Sequence, residues 1–87
     1  MFYETSDGDL AAYLSSIGIR HSHATIIDDK YVLFQFPKTS TIEQEVQKFY
    51  SDSAVINPRL YAEQLRKVRI LFHTLRRNTK GVRSDAR

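Results

Sequence analysis

Eighty-seven residues are enough for one domain and not two, and a 41% hydrophobic content with ten Phe and Tyr residues excludes a disordered chain. The absence of cysteine excludes disulfide staples and thiolate metal sites, and points to a reducing compartment. The formal net charge of +3 conceals an asymmetry: residues 1–58 hold four Lys/Arg against eight acids, whereas residues 59–87 hold nine against two. The C-terminal third is therefore expected to meet a polyanion or an acidic surface, unless it only keeps a helix face in water.

No apolar run approaches the roughly 20 residues of a membrane helix. The opening MFYETSDGD carries acids where a secretory leader would carry bases. A cytoplasmic location is the expectation.

Phe2 to Thr5 reads as a short strand. Ser6 is expected to cap the first helix, with Asp9 as the capping-box acid three residues on. Leu10, Tyr13, Leu14 and Ile17 follow at helical spacing and predict one buried face. Gly18 predicts the stop, since glycine takes the positive φ of a C′ position without strain. Ile19–Ile27 and Tyr31–Phe36 are β-rich and separated by Asp28-Asp29-Lys30, the clearest hairpin in the chain. In the second of these strands Val32, Phe34 and Phe36 should face the core. Tyr31, Leu33 and Gln35 share the other face, apolar enough for a helix or a partner to cover.

Pro37 stops that strand. Ser40 and Glu43 form a second capping box, opening a helix to about Ser51 with Ile42, Val46, Phe49 and Tyr50 as its stripe. Asn57 then caps a third helix with Pro58 at its first position. Its apolar arc is Tyr61, Leu65, Val68, Leu71, Phe72 and Leu75, and the apolar period ends it near Arg77. The fold class is thus α+β in the order β-α-β-β-α-α, a small antiparallel sheet packed by helices. Residues 1–77 form the domain and residues 78–87 a basic, flexible tail.

The basic side of the last helix is the strongest chemical feature. Arg59, Arg66, Arg69, His73, Arg76 and Arg77 gather opposite the apolar arc, with Ile70 among them. Arginine outnumbers lysine seven to two beyond Pro58, which suits bidentate contacts to phosphate or guanine. Arg66, Arg69, Arg76, Arg77 and Lys80 are the expected nucleic-acid contacts, to DNA or RNA. An acidic protein surface is the alternative partner, with Ile70 as an anchor, and a homodimer through the heptad-like stripe is a third.

His21 and His23, two apart in the expected strand, should point to one side, but no third ligand stands at diagnostic spacing, so no metal is expected. The acid pairs Asp28-Asp29 and Glu43/Glu45 have turn and capping roles, no Gly-rich phosphate loop occurs, and no nucleophile sits in an elbow context. Neither a catalytic constellation nor a cofactor site is expected. Tyr3 and Tyr31 are candidates for stacking bases on an open sheet face.

Three stretches carry a family resemblance. They are Tyr3-Glu-Thr-Ser-Asp7 leading to Leu10-Ala-Ala-Tyr-Leu14 and Gly18, the strand Tyr31-Val-Leu-Phe-Gln-Phe36, and Phe49-Tyr50 before Ala54-Val-Ile-Asn-Pro-Arg59 and Tyr61. Together they resemble a small domain family of unknown function from bacteria, archaea and their viruses, over about residues 2–75. The resemblance implies a fold and a mobile-element setting. It implies no activity and no catalytic residue. Small solo domains of phages commonly bind nucleic acid or inhibit a host nucleoprotein complex, which is association and not mechanism.

Overall fold

The computed structural model describes the backbone of residues 1–85 and the side chains of residues 1–78. Its elements run β1 (Phe2–Thr5), α1 (Gly8–Ser16), β2 (His23–Ile27), β3 (Tyr31–Pro37), α2 (Ser40–Tyr50) and α3 (Pro58–Asp85). The strands form one antiparallel sheet in the order β1-β3-β2. This is the expected α+β class and element order, with the long C-terminal helix.

The hairpin between β2 and β3 turns on Asp28 and Asp29, at φ 55° and 58°, with the Lys30 amide donating to the Ile27 carbonyl at 2.9 Å. Two successive positive φ values make a primed turn, whose twist matches the strands. Register follows from it: Ala24 opposes Phe34 and Ile26 opposes Val32, on the face that also carries Tyr3, Thr5 and Phe36. Tyr3 therefore belongs to the core face and not to an open one. The opposite face stays at the surface, with Phe2 46% and Tyr31 44% exposed.

α1 packs against the sheet and against both other helices. Leu10, Ala11, Ala12, Tyr13 and Leu14 are all buried, so the helix is covered on every side and not on the one face its spacing predicted. Ile17, expected on that face, is 41% exposed. The small residues explain the close packing: a Cβ on Gly8 would stand 3.2 Å from Val68 Cγ1 of α3. The core joins Leu10, Tyr13 and Leu14 to Val32, Phe34, Phe36 and Ile42, with Tyr61, Val68, Leu71, Phe72 and Leu75 of α3 packed against it. Each fully buried side chain of this kind contributes about 1.5–3 kcal/mol. The α3 stripe that resembled a dimer seam is thus engaged within the chain.

The helix caps differ from the expected ones by one position. Asp7, not Ser6, caps α1, its Oδ1 accepting from the Asp9 and Leu10 amides at 3.0 and 3.2 Å. Thr39, not Ser40, caps α2 by accepting from the Ile42 amide at 3.1 Å. In each pair both residues are capping types, and the entry angle of the chain selects between them. Asn57 caps α3 as expected, accepting from Arg59 and Leu60.

α1 and α2 end alike. The Ile19 amide donates to Leu14 and that of Gly18 to Ser15, while the Ser53 amide donates to Lys48 and that of Asp52 to Phe49. Both are Schellman closures, with Gly18 at φ 92° and Asp52 at φ 60° in the left-handed position. A Cβ on Gly18 would touch nothing within 4 Å, so Gly18→Ala isolates the backbone cost. That variant should lose about 1 kcal/mol and Asp52→Gly should gain about 0.5 kcal/mol or more, read by urea unfolding. Equal midpoints for both variants and the wild type would refute this assignment.

Because residues 19–22 follow that closure, β2 begins at His23 and not at Ile19. α3 continues eight residues beyond the expected end at Arg77. Apolar spacing marks only the part that packs, whereas each further turn costs little once a helix exists. The side chains of the expected tail from Thr79 onward lie outside the described residues.

Candidate nucleic-acid interface

The 28 residues of α3 carry eight Lys/Arg and two acids. Packing of one face on α1 leaves the other to solvent. Arg59, Arg66, Ile70, His73 and Arg77 are all exposed and recur at intervals of seven, four, three and four, which is one line along a helix. From Arg66 to Arg77 the line spans about 16 Å. Arg69 is exposed beside it. Ion pairs among the described residues join Lys38, just before α2, to Glu43 and join Lys48 to Glu45 within α2. The α3 arginines take part in neither.

The expected contact residues do not share one environment. Arg66, Arg69 and Arg77 stand free in solvent. Arg76 is half-buried, with its Cζ 6.0 Å from the Phe72 ring centroid and a buried Nε that has no acceptor among the described residues. That placement combines cation–π attraction with an unmet donor. The Lys80 side chain lies outside the described residues. Ile70, at 63% exposure, is an apolar group displayed between Arg66 and His73.

A slot of about 200 Å³ opens beside this line. Its apolar walls are Val32 and Phe34 of β3 with Val68 and Phe72 of α3. Ser6, Gly8, Arg69 and His73 complete it. On the opposite flank of α3, Lys67 and Gln64 share a polar hollow of about 410 Å³ with Arg20 and His21. Sequence spacing identified the arginines but neither hollow, because both lie between segments far apart in the chain.

The resembling motif has a visible structural purpose. The Thr5 hydroxyl accepts from the Asp7 amide at 3.0 Å, and Asp7 Oδ2 accepts from the Tyr50 hydroxyl at 2.6 Å. One carboxylate thus caps α1 and ties down the end of α2. The Asp7 hydrogen bond, followed by burial, pushes Tyr50 up to about 12. Burial, then the field of Asp7, raises Tyr3. Burial, then Asp9 and Asp7, raises Tyr61. Tyr13 donates to Glu45 at 2.5 Å, and burial followed by that bond pushes it up to about 12. The same bond draws Glu45 below the usual carboxylate range, against the opposing effect of burial.

These shifts set the pH limits of stability. Tyr13 and Tyr50 stay protonated in the fold to about 12, while the unfolded phenols ionise near the ordinary 10. Their contribution is complete below pH 10 and disappears as pH rises toward 12. Glu45 contributes above the ordinary 4.5, and this contribution disappears as pH falls through its lowered value. Tyr50→Phe should flatten the alkaline loss in a pH series of thermal melts. An unchanged alkaline limb would disprove the role given to Tyr50.

The histidine pair does not converge. His21 precedes β2 and packs edge-on to Phe34 and Phe36 at 5.4 and 6.2 Å, where burial lowers its pKa. His23 lies on the other face, edge-on to Phe2 at 6.1 Å. Their expected common side depended on a strand that included His21. No group of three or more metal-ligating side chains gathers among the described residues, and no described helix is long and apolar enough to cross a membrane.

Together these features define the chain as a small α+β domain: a three-stranded antiparallel sheet, a buried first helix locked by a tyrosine–aspartate tie, and a long basic final helix. It belongs to the family described as a domain of unknown function (DUF5659), whose model matches residues 1–73. Arg66 and Arg69 fall within that span, and Arg76, Arg77 and Lys80 beyond it. No curated protein and no solved structure matches the chain.

Proposed function

We propose that this chain is a small nucleic-acid-binding accessory or regulatory protein of a phage or other mobile element, and that it grips phosphates along α3. The observation that carries the reading is the line of exposed Arg66, His73 and Arg77 with Arg69 beside it, presented by a helix whose other face is packed, and outside the ion pairs of the described residues. A rigid helix bearing uncompensated guanidinium groups suits a polyanion, which repays their exposure by counterion release. Such contacts grip the backbone and do not read bases.

The test is fluorescence anisotropy on labelled single- and double-stranded DNA and RNA across a salt series. Binding that weakens steeply with salt is the expected result, and its slope counts the phosphates engaged. No binding to any of the four at low salt would reject the reading.

One observation favours a second reading, in which α3 docks on an acidic protein surface. Ile70 is 63% exposed at the centre of the basic line, where an interface anchor would stand. A pulldown from nuclease-treated lysate separates the two. A stoichiometric protein retained after nuclease, and lost with Ile70→Ser, would favour docking on protein.

A further inference from the structure

We infer that the slot between β3 and α3 receives a nucleobase, so that the preferred ligand is single-stranded nucleic acid; this rests on the phosphate-gripping reading of α3 and specifies its substrate class. The slot couples two chemistries that a nucleotide also couples. Its walls, Val32, Phe34, Val68 and Phe72, are apolar and partly aromatic, while Arg69 and His73 belong to the exposed basic side of the same helix. A phosphate held by Arg69 leaves its attached base beside an apolar recess.

One wall of the slot, Phe72, is also packed by Arg76, whose Cζ lies 6.0 Å from the ring centroid. Charge selects among the apolar occupants. A greasy side chain of a neutral partner would leave the Arg69 guanidinium without counter-charge, whereas a nucleotide brings its own anion. A base still paired and stacked in a duplex cannot enter a recess, so the geometry favours a single strand.

The experiment compares three probes on the full chain: a short oligothymidylate, the same backbone without bases, and a duplex, each across a salt series. Loss of the bases should weaken binding about tenfold or more, the scale of one stacked base, with an unchanged salt slope. In parallel, deoxyadenosine monophosphate should shift the Val32 and Val68 methyl resonances of the wild-type chain. Ser6→Trp, which fills the slot from an exposed position, should abolish the single-strand preference and leave duplex affinity intact. Equal affinity for the base-free strand, with unmoved methyls, would overturn the slot and leave the phosphate grip standing. No binding of any polyanion at low salt would overturn both. Methyl shifts that depend on protein concentration without nucleotide would assign the slot to a second copy of the chain and overturn the inference.

Discussion

Reversing Arg66 and Arg69 together to glutamate is expected to weaken binding to single strands and duplexes alike by about 100-fold at low salt. Two charge-assisted contacts to phosphate, at about 1.5 kcal/mol each, account for that factor. The salt slope should also flatten by roughly two units, since each lost phosphate contact removes about 0.9. Both residues are exposed and outside the ion pairs of the described residues, so the fold should be unaffected, as melting of the variant would verify. Arg76 is a poor choice for this test. It is half-buried over Phe72, and a carboxylate there would disturb packing as well as charge. The paired control is Lys38→Glu, outside α3 and already engaged with Glu43. If that control weakens binding as much as the double reversal, overall charge and not the α3 line governs association. Conservative Arg66→Lys and Arg69→Lys changes should retain most of the salt slope while losing bidentate geometry.

The second large effect concerns stability. Asp7→Ala removes the α1 cap, at about 1 kcal/mol, and the acceptor of Tyr50 in the same step. Tyr50 is 58% exposed, so water can replace its partner and the second loss is no more than about 1 kcal/mol. The sum, about 2 kcal/mol, should lower Tm by roughly 10 °C in a domain of this size. Asp7→Asn should cost less, because asparagine caps as well as aspartate and its amide NH2, in the place of Oδ2, can donate to the Tyr50 hydroxyl oxygen. Tyr50→Phe should account for the smaller share alone. The three variants form a coupled set around one carboxylate, so the single losses need not add. Should Asp7→Asn fall as far as Asp7→Ala, capping would not be the reason the residue matters. A loss of nucleic-acid binding in Asp7→Asn without a loss of stability would place Asp7 at the ligand instead.

These two experiments separate what each end of the chain does. The N-terminal motif Thr5–Asp7 and the distant Tyr50 organise the fold. The exposed side of α3 carries the binding chemistry proposed for it. Because Ser6 and Gly8, on either side of Asp7, line the slot, melting and binding are read on every variant so that a stability defect and a binding defect are told apart.

Several features were legible from residues alone because they act within a few positions of the chain. Asn57-Pro58 begins α3, with Asn57 Oδ1 accepting from the amides two and three residues on. Gly18 ends α1 because only a left-handed residue closes the helix there. Asp28-Asp29 turns the hairpin, and alternation then dictates that Val32, Phe34 and Phe36 face inward. The separation of apolar and basic residues around α3 is likewise a matter of period, so the exposed arginines could be named in advance.

What lay beyond the sequence was every relation between distant segments. The pairing of β1 with β3 instead of β2, the bond from Tyr50 to Asp7 across 43 residues, the burial of α1 on all sides and the folding of Arg76 onto Phe72 depend on how elements meet. The slot exists only because β3 and α3 come together beside Gly8. Local signals reach one turn along the chain, whereas packing is settled by which surfaces exclude water together once the whole chain has closed. The sequence by itself therefore determined the elements, their inward faces and the charge of the last helix. The tertiary structure alone decided which of those charges stand free in solvent and which apolar recess lies beside them.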